Sequence, residues 1–216
     1  MSGAGWRREL IAAAREMAAR GLAVGTAGNV SLRAPEGILI TPSAVPYAEL
    51  TPEMIPVLHE DGGFEGRWRP SSEWRFHLDI YLTRPEAGGI VHHHAPHTTA
   101  LAMARREIPA CHYMIARFGG APLRCAEYAL FGTAALSQAL LRALAGRTAC
   151  LMANHGGLAL GADVHGALAA ATELEALAQH YLLSLQAGGP VLLSEREVAE
   201  AVEQFATAYR PNRPKG

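Results

Sequence analysis

The sequence predicts an α/β domain with much antiparallel strand pairing, and two observations carry that reading. Short β-rich runs and amphipathic helical runs are interspersed along the 216 residues, but they lack the strict strand–helix alternation of a doubly wound parallel sheet. No linker, repeat or low-complexity tract divides the chain, so residues 1–216 read as one domain, with 211–216 as a frayed tail.

The elements follow in order. Leu10, Ala13, Met17 and Ala18 fall on one helical face between Trp6 and Leu22, and Gly21 and Gly25 end the run. Val30 to Leu32, Ile38 to Thr41 and Ile55 to Leu58 are short strands separated by Pro35, Gly37, Pro42, Pro46 and Pro52. A serine-capped helix is expected from Ser71 and Ser72 to about Arg84, where Pro85 stops it. Gly89 to His94 reads as a strand and His97 to Arg105 as a helix. Two weaker strand candidates follow, Ala110 to Ile115 and Pro122 to Ala126, and then a helix from Ala134 to Leu144. Thr148 to Met152 and Leu158 to Leu160 are strands flanking Asn154-His155-Gly156-Gly157. Val164 to Gln186 and Glu195 to Tyr209 are helices.

Composition narrows the function. With 50% hydrophobic and 18% charged residues and a formal net charge of -1, the chain has no field to hold a polyanion. The expected ligand is small and no nucleic acid is expected. Three scattered cysteines, Cys111, Cys125 and Cys150, suggest neither a disulfide framework nor a cysteine zinc site. Charged residues interrupt the N-terminal helix, so neither a signal peptide nor a membrane span is read there, and a cytoplasmic location is expected.

His92-His93-His94 is the sharpest chemical feature. On a strand, the period of two puts His92 and His94 on one face and turns His93 away. His155 lies 61 residues downstream of His94, at a glycine-rich strand connection. Three neutral nitrogens with an open fourth position are the pattern of a catalytic zinc site. Equally, His92, His93, His94 and His97 can form a polar patch with only adventitious metal affinity. His59, His77, His112, His165 and His180 read as surface or hydrogen-bonded helix residues.

Glu73 is either an ordinary first-turn glutamate or a carboxylate facing a site. Ser71 and Ser72 either cap the helix or offer hydroxyl and N–H groups to a phosphate. Gly25-Thr26-Ala27-Gly28-Asn29 and Thr41-Pro42-Ser43-Ala44 are small-residue turns that can approach an anion, or turns only.

Taken jointly, Gly25-Thr26-Ala27-Gly28-Asn29-Val30-Ser31, Ile40-Thr41-Pro42-Ser43, Ser71-Ser72-Glu73, His92-x-His94 and Asn154-His155-Gly156 stand in the order and spacing of one family. The sequence resembles the class II aldolase/adducin family over nearly its whole length, including Trp74-Arg75-Phe76-His77, Ile108 to Ala116 and Phe131-Gly132-Thr133. The resemblance implies a three-layer α/β/α sandwich with a mainly antiparallel central sheet, assembled as a homotetramer with active sites between subunits.

It further implies a zinc ion, replaceable by cobalt or manganese, on His92, His94 and His155, with Glu73 on or beside it as acid/base. It places the phosphate of a sugar substrate on Asn29, Ser71 and Ser72, helped by Thr26, Gly28, Ser43 and Ala44, and assigns a proton donor to Tyr113 from a neighbouring subunit. The implied reaction is metal-dependent cleavage of a deoxyketose 1-phosphate to dihydroxyacetone phosphate and a short aldehyde. Phe131 and Tyr209 would shape the aldehyde pocket. Two departures from the family pattern are Ala44, where glycine is common, and the loosely matched aromatics Phe205 and Tyr209.

Overall fold

A computed structural model describes residues 3–207, and in it one eight-stranded sheet runs through the chain. The strands are β1 (Asn29–Ala34), β2 (Gly37–Ile40), β3 (Val57–Leu58), β4 (Phe64–Glu65), β5 (Gly89–His93), β6 (Cys125–Ala126), β7 (Ala149–Met152) and β8 (Gly156–Gly161). Their order is β4-β3-β2-β1-β5-β8-β7-β6, and every pairing is antiparallel except β6 with β7. The sequence did not announce β4, a two-residue strand with both side chains exposed.

Period-two alternation sends side chains to two separate cores. On one face Val30, Leu32, Val91, Leu151 and Ala159 pack with α1 (Gly3–Ala19), α3 (Pro96–Met103) and α5 (Val164–Gln186). On the other, Ile90, Cys150, Met152, Leu158 and Leu160 pack with α2 (Trp74–Thr83) and α4 (Ala134–Ala143). The three-layer expectation is therefore met. Each fully buried leucine or isoleucine in these layers contributes roughly 1.5–3 kcal/mol. The last helix, α6 (Glu195–Thr207), buries only Val198 and lies along a 3-10 helix at Tyr113–Phe118.

Three local expectations are corrected. Residues 110–115 do not form a strand: His112 caps the 3-10 helix by accepting from the Met114 N–H, and Ile115 and Phe118, three positions apart, turn inward together. The expected strand from Pro122 shrinks to Cys125–Ala126 plus one isolated bridge between Ile108 and Leu123, because Pro122 has no N–H for a ladder. The expected serine cap is not the helix cap: α2 starts at Trp74, with Glu73 rather than Ser71 or Ser72 at the N-cap position and no side-chain cap hydrogen bond.

Candidate active site

β5 lies at the centre of the sheet, with His92 opposite Asn29 of β1 and Leu158 of β8. By alternation His92 shares the α2 face with Ile90, where its ring meets Phe76 edge-on at 5.7 Å. His93 turns to the α5 face and is buried near Thr98 and Leu174. The strand ends at His93, one residue short of the expected His94, yet His94 keeps the His92 side. The two Nε2 atoms are 3.0 Å apart.

His155 arrives from the turn between β7 and β8. Asn154 takes the left-handed conformation there, φ 54°, and its side-chain oxygen accepts from Arg105 Nε at 2.9 Å. Gly156 is required at the next position, because a Cβ would stand 2.3 Å from the His93 carbonyl and 3.0 Å from the His94 ring. The His155 ring consequently sits 4.8 Å from that of His92 and 5.0 Å from that of His94.

Glu73 completes the junction from α2. Its two oxygens lie 3.2 Å from His92 Nε2 and 3.4 Å from His155 Nε2, and Oε1 is a buried acceptor with no hydrogen-bond partner. Burial opposes ionisation of this carboxyl, but the attraction and hydrogen bond of His92, the attraction of His155 and the Asn29 amide outweigh it and hold its pKa down at about 2. Burial, with the neighbouring His92, lowers His94 and His155 to about 4 each, so both are neutral at pH 7 with lone pairs available. His92 Nδ1 lies 2.9 Å from the Gly157 carbonyl and donates to it, which leaves Nε2 as the ligand atom.

One ligand atom from each of His92, His94 and His155 falls within a 4.8 Å span. Three converging imidazole nitrogens and an orphaned carboxylate oxygen are the donor set a divalent cation fits.

A cavity of about 230 Å³ opens above this junction, lined by Thr26, Gly28, Asn29, Ser43, Ala44, Ser71, Ser72, Glu73, His94, Phe131 and His155, with Ala27 and Pro42. The phosphate-binding candidates and Phe131 thus meet at one place. Tyr113 does not line it: its exposed side chain stacks on Phe205 at 6.2 Å. Tyr209 lies outside the described residues. A larger cavity of about 530 Å³ beside α6 is mostly apolar, and its Arg147 is occupied by the carbonyls of Gly119, Ala121, Pro122 and Gly146. With no convergent reactive groups, that cavity is not the site.

The cavity's turns are tightly specified. Gly28, φ 77°, brings the chain so close to β5 that a Cβ would stand 2.6 Å from the His92 carbonyl. Tyr47 donates its hydroxyl to the carbonyls of Ala27 and Gly28 at 2.9 and 2.7 Å and pins that turn from below. Ala44 has φ 58°, a left-handed residue where glycine would be at ease. Ala44→Gly is expected to stabilise the protein by about 0.5–1 kcal/mol, relief of left-handed strain exceeding the entropy of the freer unfolded chain. Chemical denaturation of the two proteins checks this; a loss of stability would contradict it.

Sequence reasoning missed Tyr47. His77, expected as a surface or hydrogen-bonded helix residue, is the second: it is fully buried on α2 and bonded to Asn29 and Ser31. Its position one helical turn after Glu73 was the available signal.

Comparison with known proteins sets this geometry in context. Residues 8–182 match the model of the class II aldolase and adducin N-terminal domain. The chain belongs to the class II aldolase/adducin family. A 5-methylthioribulose-1-phosphate/5-deoxyribulose-1-phosphate aldolase of Rhodospirillum rubrum is 47% identical over 201 residues, covering 93% of this chain and 91% of its own. An L-fuculose phosphate aldolase of Escherichia coli is also 47% identical over 201 residues, covering 93% and 94%. A solved L-fuculose 1-phosphate aldolase superposes with a TM-score of 0.91 at 37% identity, covering 95% of this chain and 98% of its own. The aldolases of this family are metal-dependent lyases, and sugar phosphates are the substrate class that fits them. No described helix is long and apolar enough to cross a membrane.

Proposed function

We propose that this chain is a zinc-dependent aldolase cleaving a deoxyketose 1-phosphate reversibly to dihydroxyacetone phosphate and a short aldehyde. L-Fuculose 1-phosphate, giving L-lactaldehyde, is the first substrate. The observation that carries this reading is the junction of His92, His94, His155 and Glu73 at the floor of a cavity rimmed by anion-binding turns. Zinc bound there by the three histidines, or cobalt or manganese in its place, supplies Lewis-acid stabilisation, worth several kcal/mol, for charge developing on the substrate oxygens.

The chain's own groups do the rest. In the synthetic direction the Glu73 carboxylate takes a C3 proton from dihydroxyacetone phosphate, C3 attacks the aldehyde carbonyl, and the phenol of Tyr113 from a neighbouring subunit protonates the aldehyde oxygen. Cleavage reverses these transfers. Ser71 and Ser72 hold the phosphate, helped by the turns at Thr26–Gly28 and Ser43–Ala44 and by Asn29 acting through Ser71, whose Oγ accepts from the Asn29 amide, while Phe131 and Tyr209 border the aldehyde. Ser71 Oγ already accepts from Asn29 Nδ2 at 3.0 Å and from the Glu73 N–H at 3.3 Å, which directs its own proton outward to an anion. The exposure of Tyr113 supports a homotetramer with active sites between subunits, because that phenol stands outside the cavity of its own chain. A cytoplasmic location fits an enzyme acting on a small sugar phosphate.

A salvage aldolase acting on 5-deoxyribulose or 5-methylthioribulose 1-phosphate is the second reading, supported by the equal identity to the Rhodospirillum rubrum protein. Release of triose phosphate, followed with a coupled reductase on each sugar, decides between them. A higher kcat/KM for the pentulose phosphates makes the salvage reading the correct one, and a diketone or an epimer without triose phosphate overturns both. A non-catalytic adducin-like role is disfavoured by the intact histidines. Ser72→Ala is expected to raise KM for the phosphorylated sugar about 10- to 100-fold, the loss of one hydrogen bond to a charged group. An unchanged KM would remove Ser72 from the phosphate site.

A further inference from the structure

Beneath the cavity a line of buried polar groups leads away from Glu73, and its hydrogen-bond directions can be deduced atom by atom. Asn29 Nδ2 lies 2.9 Å from Glu73 Oε2 and 3.0 Å from Ser71 Oγ. An ionised carboxylate only accepts, so the amide NH2 must face Glu73 and the amide oxygen must face the other way. That oxygen lies 2.5 Å from His77 Nε2, which must therefore carry a proton. His77 Nδ1 then accepts, at 2.7 Å, from the hydroxyl of Ser31, whose oxygen in turn accepts from the Tyr81 hydroxyl at 3.0 Å. Asn29, Ser31, His77 and Tyr81 are all buried.

We propose that His77 is a positioning residue: held as the neutral Nε2–H tautomer by Ser31 and Tyr81, it fixes the amide of Asn29 so that its NH2 faces Glu73 and Ser71. The reason is one of alternatives. A turned amide would set its oxygen against the Glu73 carboxylate and its NH2 against His77 Nε2, so the two neighbours select the same orientation from opposite ends. A donor at His77 Nε2 removes that alternative, and Ser31 makes Nε2 the donor by occupying Nδ1. The chain is directional over four side chains from two elements, β1 and α2, ends on Glu73 and Ser71 just ahead of α2, and leaves each buried donor in it with an acceptor. Burial supports the neutral form by lowering the His77 pKa to about 3.

The rate test rests on the aldolase reading, but the structural test does not. Neutron diffraction from deuterated crystals of the metal-loaded enzyme is expected to show deuterium on His77 Nε2 and none on Nδ1, with the Asn29 ND2 group toward Glu73. Deuterium on Nδ1 alone overturns the proposal whatever the enzyme's substrate. In solution, His77→Leu is expected to lower kcat/KM for L-fuculose 1-phosphate about 10- to 100-fold, the usual cost of losing a group that orients a site residue.

Loss of both phosphate grip and Glu73 orientation makes KM rise as kcat falls, whereas a merely destabilised fold lowers the active fraction and leaves KM alone. His77→Gln, which can return a donor to the Asn29 oxygen, should recover most of the loss. Wild-type kinetics in His77→Leu would overturn the inference, while an inactive wild type defeats only the aldolase reading. If His77→Leu does not fold, Ser31→Ala serves instead. It leaves Nδ1 without its donor and should yield a mixture of tautomers with a raised KM, and an unaltered tautomer and KM would sink the proposal.

Discussion

Glu73→Gln is expected to leave the metal bound and to cut turnover about 10²- to 10⁴-fold, the range that a positioned general base contributes. Glutamine keeps the shape of the side chain and an oxygen able to accept from Asn29 Nδ2, so the cavity wall should be undisturbed. What disappears is the ability to take and return a proton at substrate C3. The depressed carboxyl pKa fits this task only in part: at about 2 the group is ionised and ready to accept, but it is a weak base. That value arises largely from His92 and His155, 3.2 and 3.4 Å from the carboxylate oxygens. A bound cation that engages those nitrogens changes the field, and an incoming substrate changes it again. Metal analysis beside steady-state kinetics checks the expectation. Full turnover in the variant would remove Glu73 from the chemistry, and loss of metal would make it chiefly a ligand.

His94→Ala is expected to weaken metal binding more than about 100-fold, since even groups one layer behind the ligands typically cost 10- to 100-fold. His94 stands just past the end of β5 with Nε2 3.0 Å from that of His92, and its removal opens one side of the three-nitrogen cradle. Activity should fall with occupancy and return partly in excess zinc. His165→Ala, on the exposed first turn of α5, is the control and should retain the ion. Metal content after dialysis reads the result directly. Tight, stoichiometric zinc in His94→Ala would refute the triad.

The two expectations rest on different kinds of legibility. His92 and His94 could be paired from sequence because period-two alternation is a property of any strand, and it survives the strand's ending at His93. That same rule sent His93 to the opposite core. The long amphipathic run at Val164–Gln186 was legible for a similar reason, its apolar positions repeating at helical spacing over many turns. The segment from Ala110 to Ile115 was misread because a short apolar run has no period long enough to separate strand from 3-10 helix, and the His112 cap that decides it is a local side-chain contact.

Local composition by itself left Glu73, Ser71 and Ser72 ambiguous between helix start and site. Only the juxtaposition with the five motifs of the family favoured the second reading, and only the fold shows Glu73 at the N-cap with its carboxylate bonded to Asn29 rather than to its own helix.

What the sequence determined was therefore periodic or ordinal: two sheet faces, the helices that cover them, and the set of motifs marking a class II aldolase/adducin chain. What the tertiary structure alone decided was convergence. Residues as distant as Asn29, Glu73, His92 and His155 meet within hydrogen-bond or metal-ligand reach because β1, β5 and β8 are neighbours in the sheet and α2 packs across their ends. Strand order is set by which whole faces bury together, a property summed over both cores, and no window of the chain carries it. The roles of Tyr47 and His77 belong to the same category, since a tyrosine in a short turn and a histidine in a helix acquire their partners only when other elements arrive beside them.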